Sequence, residues 1–157
     1  MLYPWGGMEI NGIAHIQLTV SDFDACARFY GALMELFEMQ LVFNDSDVKY
    51  WVGGRTALAI TRCAEGYRGE RFVQNRVGLH HVCFRARSRA DVDQVQELVQ
   101  RLGARVVYPA QEGPWAPGYY SVAFEDPDGI RLEVNHVPGK GNLDPKIRLP
   151  IPRPPVP

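Results

Sequence analysis

A nine-residue pattern occurs twice in this chain, and the repetition restricts the possible folds more than any other feature. The segment GIAHIQLTV, which starts at Gly12, matches the segment GLHHVCFRA, which starts at Gly78, position by position. Each copy alternates polar with apolar residues, which predicts a half-buried strand with one face against a core. An internal repeat of this kind predicts a fold built from two similar units.

The residues that follow each copy predict a helix and then three strands. After the second copy, Ser88 is a natural N-cap, an apolar stripe at helical spacing follows, and Gly103 stands just past the expected end. After the first copy, a shorter helix opens at Ser21-Asp22. The predicted strands cover residues 39–43, 48–52 and 56–61 in the first half, and 105–108, 119–125 and 130–136 in the second. The turn between the last two strands is Asp126-Pro127-Asp128-Gly129, and each half is therefore predicted to be β-α-β-β-β.

The length of 157 residues suits one domain made of two fused modules. We expect this domain at residues 10–137, with module one at about 10–62 and module two at about 78–137. Residues 1–9 are predicted to be a flexible extension. Residues 138–157 form a tail that holds seven of the twelve prolines. Two long loops, at 63–77 and 109–118, are predicted to carry function.

Composition excludes several classes of function. A formal net charge of −1 gives no general attraction to nucleic acid, and no apolar run is long enough to span a membrane. The three cysteines are an odd and widely spaced set, which argues against a disulfide framework. The cysteine usage predicts a cytoplasmic protein.

Three residues form a candidate metal site. Side chains alternate across a strand, so His15 and His81 take the polar faces of the two repeated strands, opposite the apolar residues that face the helices. Glu133 takes the polar face of the last predicted strand. Two imidazoles and one carboxylate suit Fe(II), Mn(II), Zn(II), Co(II) or Ni(II) and leave coordination positions open. Each residue alone would more often be an isolated polar group, but the matched registers of all three favour a site.

Three motifs in the chain resemble those of the vicinal oxygen chelate superfamily. They are the repeated Gly-x-x-His opening, the run Val20-Ser21-Asp22…Phe29-Tyr30, and the segment DPDGIRLE that ends at Glu133. This superfamily contains glyoxalase I, extradiol dioxygenases, fosfomycin-resistance proteins, methylmalonyl-CoA epimerase and bleomycin-binding proteins. The resemblance covers about residues 10–137.

The resemblance implies an α+β fold in which two βαβββ modules form a cupped mixed sheet around a metal. The metal would chelate two adjacent oxygens of a small-molecule substrate, and His15, His81 and Glu133 fall on the ligand positions. His80 is the rival of His81, and the Gly-to-His spacing selects His81. Relatives build the site within one chain or across a dimer. A homodimer is expected, because an open two-module sheet leaves apolar surface and edges to cover.

Departures from the family pattern bear on the reaction. Glyoxalase I-like sites take a fourth ligand from the first module, and the equivalent position here is Ala59, which cannot bind a metal. Three ligands leave an open face, which favours extradiol-dioxygenase-like chemistry with Fe(II) or Mn(II). Ring-cleaving relatives, however, typically carry a tyrosine where this chain has Phe124, and an upstream histidine that this chain lacks. A metal-dependent lyase, isomerase or thiol transferase and a non-catalytic drug-binding module remain the alternatives.

Further residues are candidates for catalysis or for the substrate pocket. Tyr119 and Tyr120 each offer a phenol, and which one faces inward stays open. Arg131 shares the register of Glu133 and is the third catalytic candidate. The pocket candidates are Gln17, Cys83, Arg85 and Trp115. Alternatively, Cys83 is a small filler, the arginines lie on a solvated rim, and Trp115 pins its loop rather than closing over a ligand.

Overall fold

The computed structural model describes residue 10 and residues 12–140. The predicted extension at residues 1–9 and the tail beyond residue 140 lie outside the described residues. Among the helices of the described part, none is long and apolar enough to cross a membrane.

Each half of the chain forms one helix and four strands. The first half consists of β1 (His15–Val20), α1 (Phe23–Leu36), β2 (Gln40–Asn44), β3 (Val48–Gly53) and β4 (Thr56–Arg62). A short 3-10 turn (Glu65–Tyr67) lies in the connection between the halves. The second half consists of β5 (Val82–Arg85), α2 (Arg89–Arg101), β6 (Val106–Glu112), β7 (Tyr120–Glu125) and β8 (Arg131–His136).

The two halves form two separate four-stranded mixed sheets with the same topology. The strand orders are β1-β4-β3-β2 and β5-β8-β7-β6, and the first pair in each sheet is parallel. β1 and β5, the strands of the repeated pattern, therefore each lie at a sheet edge. This α+β arrangement of two βαβββ modules confirms the predicted fold class.

Each helix begins where the sequence predicted. The Ser88 hydroxyl accepts a hydrogen bond from the backbone N–H of Asp91, and the Asp91 carboxylate accepts one from the Ser88 N–H, which forms a capping box. The Asp22 side chain caps α1 by accepting from the N–H of Ala25 at 3.0 Å. Both helices pack against the apolar faces of the sheets, in one continuous core that includes Leu18, Val20, Phe29, Val92, Val99, Leu132 and Val134. The opposite face of each sheet is left open.

Polar contacts between α1 and the turn that joins β7 to β8 connect the two modules. The turn between β7 and β8 inserts the carboxylate of Asp128 against the start of α1, where it accepts from the backbone N–H groups of Ser21 and Asp22. Tyr30 on α1 donates its hydroxyl to Asp126 Oδ2 at 2.8 Å. Asp126 and Asp128 are only 4% and 7% exposed. We call Tyr30, Asp126 and Asp128 the inter-module clamp.

Two predicted strand boundaries differ by four residues from the observed ones: β5 begins at Val82 rather than at Gly78, and β6 ends at Glu112 rather than at residue 108. β6 continues through Pro109 to Glu112, so the predicted loop at 109–118 begins at residue 113 instead. Proline lacks an N–H and is tolerated only at edges or irregularities of a sheet. β6 is the outer strand, and its pairing with β7 shifts between Tyr108 and Gln111.

Candidate metal centre

His81 and Glu133 meet on the open face of the second sheet. His81 immediately precedes β5, and Glu133 lies on the adjacent strand β8, in register with Cys83. Nε2 of His81 lies 3.4 Å from Oε2 of Glu133. Two ligand atoms that each bind a cation at about 2.1 Å are roughly 3.0–3.5 Å apart. The pair therefore fits two ligands of one cation.

The other oxygen of Glu133 is held by Tyr119. The Tyr119 hydroxyl donates to Oε1 of Glu133 at 2.5 Å, and the tyrosine is 5% exposed. Burial is the largest cause that raises the pKa of this phenol, and the Glu133 carboxylate adds to it. Tyr119 therefore stays a hydrogen-bond donor at neutral pH, and Oε2 of Glu133 remains directed at His81.

The local environment keeps the imidazole of His81 neutral. Burial lowers its pKa most; His80 and Arg131 also lower it, while Glu133 opposes them. Nδ1 of His81 lies 2.7 Å from Nδ1 of His80. The same nitrogen of His80 lies 3.3 Å from Nε2 of Gln74. His80, the rival candidate, lies exposed beside His81.

His15 is not brought to this pair within one chain. It lies exposed at the start of β1 on the first sheet, with its ring 6.3 Å from that of Tyr50. Among the described residues, no group of three or more His, Cys, Asp or Glu side chains is close enough to hold a metal ion. A single chain thus assembles two of the three candidate ligands and carries the third on the open face of its other sheet.

The two candidate tyrosines lie on opposite sides of the second sheet. Tyr120 faces α2, where its hydroxyl donates to Asp93 Oδ1 at 2.7 Å and Arg89 lies 4.9 Å over its ring. Side-chain alternation places adjacent residues on opposite faces, so only Tyr119 reaches Glu133. This position removes Tyr120 from the candidate site.

Arg131 lies on the open face but is already paired. It donates to Oε1 of Glu125 at 2.9 Å, and Arg105 donates to the same oxygen at 2.7 Å. Burial favours the neutral acid, but the two guanidinium groups outweigh it and hold the pKa of Glu125 below its usual value. Within the described part of the chain, Nε of Arg131 is buried without a partner.

The pocket candidates are distributed over both sheets. Cys83 is exposed beside Glu133. Gln17 donates to Thr61 Oγ1 at 2.5 Å on the first sheet. Arg85 donates to the carbonyl oxygens of Val137 (3.1 Å) and Gly139 (2.5 Å), so it holds the segment after β8.

Trp115 packs beside a small buried cluster made of Ala116, Tyr119 and Val137. This packing would pin the loop at residues 113–119, and a contact of Trp115 with substrate stays a prediction.

The sequence interpretation missed one residue of the open face, Tyr50 on β3. It is in register with Ala59, and its ring is the one beside His15. The alternation of Val48, Tyr50 and Val52 around the buried Trp51 was the available signal.

Comparison with known proteins agrees with this fold. Residues 12–134 match the Glyoxalase/Bleomycin resistance protein/Dioxygenase superfamily, and the chain belongs to it. It is 35% identical over 122 residues to the Bacillus subtilis protein YqjT, described as uncharacterized, covering 76% of this chain and 94% of that protein.

The chain is also similar to solved structures, two of which are described here. A glyoxylase/bleomycin resistance protein/dioxygenase domain from Frankia sp. EAN1pec has a TM-score of 0.66 at 26% identity, covering 82% of this chain and 98% of that one. A lactoylglutathione lyase from Agrobacterium tumefaciens has a TM-score of 0.59 at 25% identity, covering 82% and 96%.

Proposed function

We propose that the protein is a divalent-metal-dependent enzyme that acts on a small substrate with two adjacent oxygens. The observation that carries the proposal is the His81–Glu133 pair, whose ligand atoms are 3.4 Å apart on an open sheet face. His15 occupies the equivalent position of His81 in the repeat, on the open face of the other sheet. We further propose that a homodimer unites them, with His15 supplied by one chain and His81 and Glu133 by the other.

The free edges of the two sheets support this dimer. Among the described strands, β1 and β5 each pair on one side only. Each is preceded by an exposed apolar residue, Ile13 (65% exposed) and Leu79 (38% exposed), and unpaired edges with apolar surface favour association. A second copy that sets β1 of one chain beside β5 of the other brings the two repeated histidines together and covers both edges.

The chain's own residues prepare this site. In the tautomer in which Nδ1 of His81 donates its proton to Nδ1 of His80, the lone pair of Nε2 would be free to bind a cation. Tyr119 fixes the carboxylate of Glu133 so that one oxygen stays available. When bound, the metal supplies Lewis acidity that polarises both substrate oxygens and lowers the pKa of a substrate hydroxyl. Three protein ligands leave coordination positions for the substrate.

Removing any one of the three ligands should abolish metal retention. His15→Ala, His81→Ala and Glu133→Ala each leave two ligands, and we expect metal content to fall at least about 100-fold below wild type at equal free metal. Elemental analysis of dialysed protein measures the content, and circular dichroism checks the fold. Cys63→Ala, which changes the residue directly after β4, is the control and should retain metal. Unchanged metal in all three variants would show that the site is wrong.

For the reaction, we favour oxygen-dependent cleavage with Fe(II) or Mn(II), because Ala59 supplies no fourth protein ligand and coordination positions therefore remain for substrate and O₂. The test is anaerobic loading with Fe(II), addition of catechol, and then exposure to air in an oxygen electrode. Oxygen uptake that depends on His81 supports this chemistry. Zinc or nickel in the protein as purified, without oxygen uptake, would contradict it.

A metal-dependent lyase or isomerase is the second candidate, and similarity to the Agrobacterium lactoylglutathione lyase favours it. Turnover of the methylglyoxal–glutathione adduct without oxygen uptake would select it. Tight binding of a drug such as bleomycin, without metal and without turnover, would instead indicate a binding module. The three free cysteines agree with the cytoplasmic location that we infer from the sequence.

A further inference from the structure

The ring of Tyr50 extends over β4 on the open face of the first sheet. β4 lies between β3, which carries Tyr50, and β1, which carries His15. Strands that flank a third strand are about 9–10 Å apart, yet the two rings are 6.3 Å apart at an angle of 55°. The two rings therefore approach each other across β4.

The residue of β4 that lies between Tyr50 and the strand of His15 is Ala59. Its registered neighbours are Tyr50 on β3 and Gln17 on β1. Ala59 is 0% exposed although it points away from the apolar core, which contains its neighbours Leu58 and Ile60. The side chains of Tyr50 and Gln17 thus shield it from solvent.

The second sheet has three corresponding positions, on its third, fourth and first strands. There the small residue is on the third strand and the large residue is on the fourth. There Ala123 on β7 is in register with Glu133 on β8, which is in register with Cys83 on β5. In one module a small residue on the third strand leaves room for a carboxylate on the fourth. In the other, a small residue on the fourth strand leaves room for the ring of Tyr50.

We propose that Tyr50 fills the place of the absent fourth ligand and contacts the substrate there. The inference rests on the proposed metal site, because His15 is the ligand beside it. Tyr50 is half-buried, and its hydroxyl makes no hydrogen bond to another described residue. A neutral phenol both donates and accepts hydrogen bonds, which suits an oxygen of a substrate bound next to His15. Tyr50 would thus select substrates that present an oxygen on this side.

The packing part of the proposal can be tested without metal or substrate. Ala59→Glu should lower the melting temperature, because the new carboxylate needs the space under the Tyr50 ring. Combining it with Tyr50→Ala, which copies the Ala123/Glu133 arrangement, should recover at least about half of that loss. Tyr108→Ala, an exposed tyrosine of the second sheet, is the control and should not rescue. Strict additivity of Ala59→Glu and Tyr50→Ala would overturn the claim that the ring fills this place.

The contact with substrate is tested with oxalate, a small dianion with adjacent oxygens, on Mn(II)-loaded protein. Tyr50→Phe should weaken oxalate binding in calorimetry about 10-fold, with unchanged metal content, because one hydrogen bond to a charged oxygen is lost. Tyr108→Phe should leave the affinity unchanged. An unchanged oxalate affinity in Tyr50→Phe would overturn the contact and leave the metal site intact. Failure of wild type to retain Mn(II) would overturn the metal site and the contact together, while the packing result would stand.

Discussion

Chains that carry His15→Ala and chains that carry His81→Ala should regain, when mixed, metal that neither variant holds alone. In a dimer with shared sites, the mixed dimer has one site with both defects and one site with none. The purified mixed dimer should therefore bind about half as much metal as wild type, because a two-fold dimer has two equivalent sites. Two different affinity tags, denaturation and refolding together, and elemental analysis provide the measurement.

A matched negative control separates this result from simple stabilisation by mixing. His81 and Glu133 lie in the same half of the proposed site, 3.4 Å apart. A mixed dimer of His81→Ala and Glu133→Ala therefore has one defect in each site and should stay at background. Metal at background in both mixtures would indicate that the triad forms within one chain, and equal recovery in both would exclude the proposed division of ligands.

Asp126→Ala should destabilise the protein more than any other single change in the inter-module clamp. The Asp126 carboxylate accepts from the backbone N–H groups of Asp128 (2.9 Å) and Ile130 (2.8 Å) and from the Tyr30 hydroxyl (2.8 Å). All three donors would be buried without a partner, which should cost about 4 kcal/mol of unfolding free energy. Differential scanning calorimetry should show a melting temperature about 10 °C lower.

The control is Asp45→Ala, which removes a similar pair of contacts in solvent. Oδ1 of Asp45 accepts from the N–H groups of Asp47 (2.8 Å) and Val48 (2.7 Å), and this turn is exposed. Water replaces these bonds, so we expect a loss of about 1 kcal/mol or less. Equal losses of unfolding free energy in the two variants would show that burial does not strengthen the contacts of the clamp.

The clamp also predicts how stability depends on pH. Burial raises the pKa of Asp126 from 3.8 to about 6, against the lowering effect of Tyr30 and the backbone donors. A raised folded-state pKa stabilises the protein at low pH, and this contribution is lost as pH rises to about 6. Asp126→Asn, which cannot titrate, should therefore gain about 2 kcal/mol relative to wild type between pH 4 and pH 7. Urea unfolding at both pH values measures this, and a constant difference would contradict it.

The sequence predicted those features that depend on local patterns. Alternation assigned His81 and Glu133 to polar strand faces, and the structure brings their ligand atoms together. Capping residues located the starts of both helices. The loop predicted from residue 109 begins later, because the outer position of β6, which makes a proline tolerable in a strand, is a tertiary property.

Features that depend on how the modules pack could not be predicted from the sequence. Asp126 and Asp128 were recognised as turn residues, but nothing in their spacing shows that Asp128 binds the backbone at the start of α1 or that Asp126 accepts the Tyr30 hydroxyl. The separation of His15 from His81 has the same origin, because repeat symmetry does not say whether equivalent strands meet within a chain. Tyr50 was missed since its role depends on a small neighbour, Ala59, on another strand.

The clamp has a consequence for the order of folding. The backbone N–H of Ser21 and the carboxylate of Asp128 are 107 positions apart in the chain. Contacts of such long sequence separation form late, because the loop between them must close first. During synthesis, α1 therefore emerges long before the residues that complete its N-terminus. Module one should mature only after the last hairpin leaves the ribosome, so truncation before Asp126 leaves it incomplete.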